Sequence, residues 1–570
     1  MQDVSGQETP AVRWNRDEIA RKLSEYTASA GGVGQGSSQR TICEDLRVPR
    51  STLQYWLTRQ GSIDESPEVI AFFESPAGVR FLHRLVVGAQ FVMNLEGNCG
   101  IRLVCQYLEL TGLAHFVASS YGSQQQVSQV MEEQTVAFGQ TEKTRLGRQM
   151  RRKEITVCED ENFHSEVCLV GIEPASNFIV LEEYAANRSA ATWTEKLARA
   201  TEGLPVDVIQ GTSDEAKGIC AHVKTDLGAH HSPDLFHVQQ ELVHGTSVTL
   251  AGQVKRAEQA VSRSVEIVTR HQRAKADDAR GPRSPGRPAD FDTRIQQAQA
   301  QETQARVQLE NALTRQRQAK EAIHGISAAY HPYDVENGQP QSSEQVAAEL
   351  ARHFTELEQV AQEAGLSERC RHKIRKAKRV VTQLVATIAF VVLSVRAKIE
   401  ALGLTPNQEE TVLNHLIPGL YLERLAEQAQ SADTRHGFHD KAEQLLAPLA
   451  ARDGPFSHLS DEDLAVVEQV AQECAQLFQR SSSCVEGRNG ALALRHHHLH
   501  RIRPRRLAAL TTIHNYVPTR RDGTTAAERF FGAPPKDVFE WLLDRVDLPG
   551  RPAQKRSQPK KKRSLLQPAT

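Results

Sequence analysis

The 570-residue chain has no uninterrupted run of about 18 apolar residues, the length needed to cross a membrane as a helix. Its longest apolar stretch, Val380 to Val395, is interrupted by Thr and Gln and flanked by Arg379 and Arg396, so it reads as a buried helix. A basic-then-apolar leader is missing at the N-terminus. Nine cysteines occur without a C-x-x-C pair, which argues against both a disulfide framework and a Cys-rich zinc site. A reducing cytoplasm is the expected compartment. No G-x-x-x-x-G-K-[ST] loop is present, so ATP use is not expected. Excess charge is absent too: 69 Lys and Arg against 70 Asp and Glu leave a net −1. That balance excludes a uniformly basic nucleic-acid coat but leaves room for local basic patches. The length exceeds what one hydrophobic core supports, and several domains are expected.

What is present is organised around Pro205 to Gln240. Val206 to Ile209 reads as a β-strand that ends in Thr212-Ser213-Asp214-Glu215. A helix over Glu215 to Asp226 follows, with Ser213 or Asp214 as its cap. Pro233 to His237 reads as a further short strand. Upstream, Ile155 to Cys158 is a strand running into Glu159-Asp160-Glu161, Val167 to Ile172 a second, and Phe178 to Glu182 a third after the turn Glu173 to Asn177. Trp193 to Ala200 reads as a helix. The order β-β-β-α-β-α-β is that of a ribonuclease H-like core with a mixed five-stranded sheet. In that fold the first and fourth strands are neighbours, so Asp160 and Asp214 are expected close together. Glu159 and Glu161 compete with Asp160, because side chains alternate across a strand and the sequence does not say which face carries the chemistry.

Ser38 to Gln60 has helix-turn-helix shape. A short amphipathic helix with Ile42 and Leu46 leads to a Val48-Pro49 turn and a second helix, capped by Ser51 or Thr52, that repeats Leu53, Trp56 and Leu57. In that reading Arg50, Ser51, Thr52, Gln54, Tyr55 and Arg59 face DNA, whereas an ordinary helical hairpin would need none of them. A weaker hairpin of the same shape lies at Gly100 to Gln134. The basic connector with Arg151 and Arg152 precedes the first strand, where a phosphate contact fits as well as a solvated face does. From Glu241 to Arg480 the pattern is all helical, with the loop Gly281 to Pro288. Glu486 then begins a helix rich in bases: Arg488, Arg495 and Arg501, with Arg503 close behind and Pro504 as its expected end. His496 and His500 have the i,i+4 spacing that can hold zinc, but no nearby Cys completes a site, and DNA backbone is the better partner.

These pieces together resemble bacterial insertion-sequence transposases of the DDE class, with an α-helical insertion between the second Asp and the Glu. The resemblance rests on Asp160-Glu-Asn-Phe-His, Ser213-Asp214-Glu-Ala-Lys-Gly, Asp234-Leu-Phe-His237, Ser483-Cys-Val-Glu486-Gly-Arg-Asn489, and the closing segment His514 to Gly532. It implies that Asp160, Asp214 and Glu486 hold two Mg²⁺ or Mn²⁺ ions and catalyse DNA strand cleavage and transfer at element ends. It also implies that His237 positions a phosphate, or the helix that follows its strand, and that Asp234 orients His237. Double-stranded DNA is the implied partner, a homodimer or higher oligomer the implied assembly, and a bacterial nucleoid-associated location the implied place. A DNA-binding protein on the same scaffold without catalysis is the alternative. The expected divisions are 1–62 for the helix-turn-helix region, 63–153 for a second helical DNA-binding or linker region, and 154–240 for the first part of the core. They continue with 241–480 for the all-α insertion, 481–549 for the closing core helices and 550–570 for a basic tail.

Overall fold

A computed structural model describes residues 15–31, 39–163, 166–281, 289–450, 454–499 and 501–552. The basic tail, His164, most of the loop before Pro288, and the His498 and His500 side chains lie outside the described residues. The chain divides into two compact units, one formed by Arg151–Ala491 and the other by Met1–Met150 with Leu492–Thr570.

The Arg151–Ala491 unit is built on one sheet in the order β3-β2-β1-β4-β5. Its strands are β1 (Lys153–Phe163), β2 (Val167–Glu173), β3 (Phe178–Ala185), β4 (Val206–Ser213) and β5 (His230–Pro233). The first three form an antiparallel meander, and β4 and β5 add parallel to β1. Helices Ala190–Thr201 and Lys217–Ala221 cover one face, where Trp193, Leu197, Ile219 and Val223 bury against Leu169 and Leu181. Helix Val381–Glu400 packs beside β5. The Phe390 ring stacks on His230 at 4.5 Å, and a buried polar ladder links Thr156, Gln210, Ser232 and Thr387 across the sheet to this helix. The apolar stretch flanked by Arg379 and Arg396 is thus a core helix, with Leu384, Ile388, Val391 and Val395 buried.

Two expectations need correction. The fifth strand is His230–Pro233, not Pro233 to His237, because Asp234 caps a new helix, Leu235–Gly245, through the Phe236 N–H. The helix after β4 starts at Lys217 rather than Glu215; β4 extends to Ser213, and Asp214 accepts the Ala216 N–H in the turn between.

The insertion buries one large core from Leu235 to Phe478. Its longest elements, Ser247–Asp278 and Phe291–Ala329, pack along each other. Ala298, Ala305, Ala312 and Ala319 recur every seventh residue as the buried seam, so two backbones approach where larger side chains would hold them apart.

In the other unit, helices Arg16–Gly31, Gln39–Asp45 and Arg50–Gln60 share a core of Leu23, Cys43, Val48, Leu53 and Trp56. The second and third are joined by a tight turn in which Arg47 takes φ 54° and the Val48 N–H donates to the Cys43 carbonyl. Pro49, rather than Ser51 or Thr52, is the capping residue, and its fixed φ suits a helix start. In the second predicted hairpin, the helix after the turn runs much further than expected, Tyr121–Gly147. Residues after Leu492 join this unit instead of the sheet. Pro504 opens helix Pro504–Tyr516 and does not close the preceding one, which ends at Leu499. Phe138 packs edge-on against Tyr516 and Trp541 at 5.4 and 5.7 Å.

Candidate functional site

The parallel pairing of β1 with β4 sets Cys158 against Thr212. Two residues further along each chain stand Asp160 and Asp214, so the register itself brings the two acids side by side. Alternation then separates the β1 acids. Glu159 is fully buried on the Trp193 side, 3.4 Å from the His222 imidazole. Glu161 shares that side, pairing with Arg188 at 2.7 Å and accepting from the Trp193 indole. Asp160 faces the other way, toward helix Ser483–Leu499, and accepts a 2.8 Å hydrogen bond from the Asn489 amide. Asn489 also accepts from Asn162. It is three residues from Glu486 and so shares its helical face, the one signal by which the sequence marked it.

Burial, then the neighbouring charges of Asp214 and Glu486, push the Asp160 carboxyl up to about 6, against the pull of the Glu161 N–H and of His237. Asp160 therefore senses the like charges of Asp214 and Glu486. Asp214, Glu161, Asp234 and His237 line one cavity of about 590 Å³.

Asp234 stands beside His237 and holds further partners. Its Oδ1 caps the His237 helix, while its Oδ2 accepts both the Ser482 N–H at 3.2 Å and the Ser482 hydroxyl at 2.5 Å. A single buried carboxylate thereby fixes the start of two helices, one bearing His237 and the other Glu486. His237 Nε2 stands 3.6 Å from Glu486 and 3.9 Å from Asp234. Arg480, two residues before Ser482, accepts the Leu235 N–H and donates to His331 at 2.6 Å.

The predicted DNA-facing residues fall into two groups. Arg50, Ser51, Gln54, Tyr55, Arg151, Arg501 and Arg503 are exposed, and Thr52 is half-buried. Arg152 is exposed as well, but its guanidinium grips Asp207 in a two-pronged pair. Arg59 donates to the Pro552 carbonyl, and Arg495 to those of Leu95 and Glu96. Arg488 is a correction: it is buried in a two-pronged pair with Glu182, whose side chain has no exposure. A buried ion pair of that geometry holds the helix to β3 and offers nothing to a ligand.

The donor set suits a hard divalent cation, since Asp160, Asp214 and Glu486 offer only oxygen. As the side chains stand, no group of three or more His, Cys, Asp or Glu is gathered closely enough to hold a metal ion among the described residues.

Residues 412–558 match a family described as a family of unknown function, DUF6399. The matched segment includes Glu486 and the helices after it, but not Asp160 or Asp214. No curated protein matches the chain.

Proposed function

We propose that the protein is a DNA transposase: a ribonuclease H-like core, interrupted by an all-α insertion, that cleaves and transfers DNA strands with Asp160, Asp214 and Glu486. The observation that carries this reading is geometric: the parallel register of β1 with β4 sets Asp160 beside Asp214, and Asn489, on the helix that bears Glu486 after the whole insertion, donates to Asp160. The sheet order 3-2-1-4-5, with one antiparallel meander and two parallel additions, supports the core assignment. The exposed Arg50, Gln54 and Tyr55 on the third helix support a helix-turn-helix reading of the N-terminal hairpin.

Two Mg²⁺ or Mn²⁺ ions, when bound, would activate the attacking hydroxyl and stabilise the leaving oxygen of an in-line displacement at phosphorus. The chain's own part is to hold the acids in place. Asn489 orients Asp160, the Asp234–Ser482 link fixes the Glu486 helix, and His237 stands beside Glu486 where it can donate to a phosphate oxygen. Arg188, beside Asp214 and Glu161, balances negative charge at the strand ends.

The separation of the carboxylates favours a second reading, a DNA-binding protein without catalysis. DNA carrying the segments that flank the reading frame, incubated with the protein and Mg²⁺ or Mn²⁺, decides between them. Cleavage that disappears in Asp214→Ala and Glu486→Ala is the expected result. Binding with no metal-dependent cleavage would leave only the second reading.

A further inference from the structure

Helix Glu368–Arg379 reads ERCRHKIRKAKR. Lys and Arg are 69 of the 570 residues, so twelve positions hold about one or two on average, and this helix holds seven. Ile374 and Ala377 anchor it in the core. Arg369, Arg371, Arg375, Lys376, Lys378 and Arg379 are exposed. The acids opposite are too few: Glu368 takes Arg371 and Arg375, Glu241 takes Lys373 and Lys376, and Glu358 takes Lys378. Arg369 and Arg379 pair with no acid among the described residues.

Position gives the surplus a use. The helix packs on Leu235–Gly245, which carries His237, and Gly245 lets the backbones meet: a Cβ there would lie 3.1 Å from the Cys370 carbonyl. Lys376 lines the same cavity as Asp214 and His237, and Arg188 and Lys217 line it too. Cations thus accompany the carboxylates in one cavity, and the exposed surplus continues outward along one helix. A polyanion with regularly spaced charges fits such a strip, and Lys and Arg read its phosphates without reading its sequence.

We infer that Glu368–Arg379 is a docking surface for the phosphodiester backbone of DNA, leading the strand toward the carboxylate cavity. The inference rests on the proposed function only in taking DNA as the substrate. The test uses the full chain with Arg369→Ala, Arg375→Ala and Arg379→Ala together. All three are exposed, and the single pair lost, Arg375–Glu368, is a surface pair of little weight. Binding of labelled random-sequence duplex DNA is titrated against salt in metal-free buffer, with thermal melting as a control. The expected result is an unchanged melt and a salt slope smaller by about two to three, near 0.9 for each phosphate contact removed. A slope and affinity equal to the parent overturn the inference. So does helix-dependent binding of polyglutamate with no helix-dependent binding of DNA, which would make this a surface for acidic protein. Helix-dependent DNA binding without carboxylate-dependent cleavage keeps the inference and removes the catalytic reading. Carboxylate-dependent cleavage that the triple variant retains in full does the reverse.

Discussion

Asp160 and Arg488 show how differently two charged residues of one site behave. Asp160 is held near 6 by burial and by Asp214 and Glu486, so its folded-state value lies above that of the unfolded chain. Between about pH 4 and 6 the folded protein then binds more protons than the unfolded one, and this residue's contribution to stability falls as pH rises. In metal-free buffer, Asp160→Asn is expected to melt like the parent near pH 4 and to be more stable by about 2 kcal/mol at pH 8. Comparing variant with parent removes the opposite trend of His230 and His231, which burial lowers to about 4. A difference that is flat with pH would mean that neither burial nor the neighbouring acids raise the Asp160 carboxyl. Arg488 is the structural member. Breaking its pair with Glu182 by Glu182→Gln leaves a buried guanidinium unpaired, at a cost of about 3–5 kcal/mol in denaturant melts. Replacing the pair by Glu182→Leu with Arg488→Met is expected to recover most of that loss, with DNA affinity unchanged; lower affinity in this double variant would restore Arg488 as a DNA contact.

At the scale of elements, the site depends on where helices begin. Asp234 accepts from Phe236, which starts the His237 helix, and from Ser482, which starts the Glu486 helix. Asp234→Ala leaves these buried donors without partners and frees the Glu486 helix, so a stability loss of about 3 kcal/mol is expected. Metal-dependent cleavage should fall by about 100-fold, because a displaced catalytic group loses its alignment, while DNA affinity stays unchanged. Ser482→Ala should give a smaller loss of the same kind. If both variants lost stability but cleaved at the parent rate, the link would be structural only. The sequence showed Asp214 at the end of its strand, where a β-run gives way to small polar and acidic residues, but it ended the first strand at Cys158, whereas β1 runs on to Phe163 and carries Asp160 inside it. It placed the fifth strand at Pro233 to His237, too late in the chain. His230-His-Ser-Pro233 carries no β-branched residue, and its pairing is fixed by β4 and by the covering helix Val381–Glu400. The basic helix was hidden for a related reason. It runs directly into the apolar Val381–Glu400, and together they read as one long helix with a charged start. Arg488 was misread because a buried pair and a surface base look alike until the partner, more than 300 residues away in sequence, is known.

At the scale of the whole molecule, the chain's order differs from its packing. Residues after Leu492 were expected to finish the sheet domain, yet they complete the unit begun by the N-terminal helices. Nothing local announces this, since the contacts join segments from opposite ends of the chain. Arg551 and Arg16 both bind the buried Glu74 carboxylate, and the Trp541 indole donates to the Gln134 carbonyl. Helices Tyr121–Gly147 and Pro504–Tyr516 approach each other closely at Gly139. A Cβ built on Gly139 would lie 2.5 Å from the Thr512 hydroxyl oxygen and 3.0 Å from its methyl. Gly139→Ala therefore forces the two helices apart. Although alanine favours a helix interior by about 1 kcal/mol over glycine, overpacking costs typically 1–3 kcal/mol, and a net loss is expected. Thr512→Ala removes both offending atoms and leaves its Cβ at 3.3 Å, so Gly139→Ala with Thr512→Ala should regain most of the loss and show a favourable coupling in a double-mutant cycle. Hydrogen exchange read by mass spectrometry would place the change: faster exchange in 121–147 and 504–516 for Gly139→Ala, with the β1–β5 peptides as in the parent. Equal acceleration across the sheet peptides, or additive effects in the cycle, would overturn the view that the two chain ends fold as one unit through this contact.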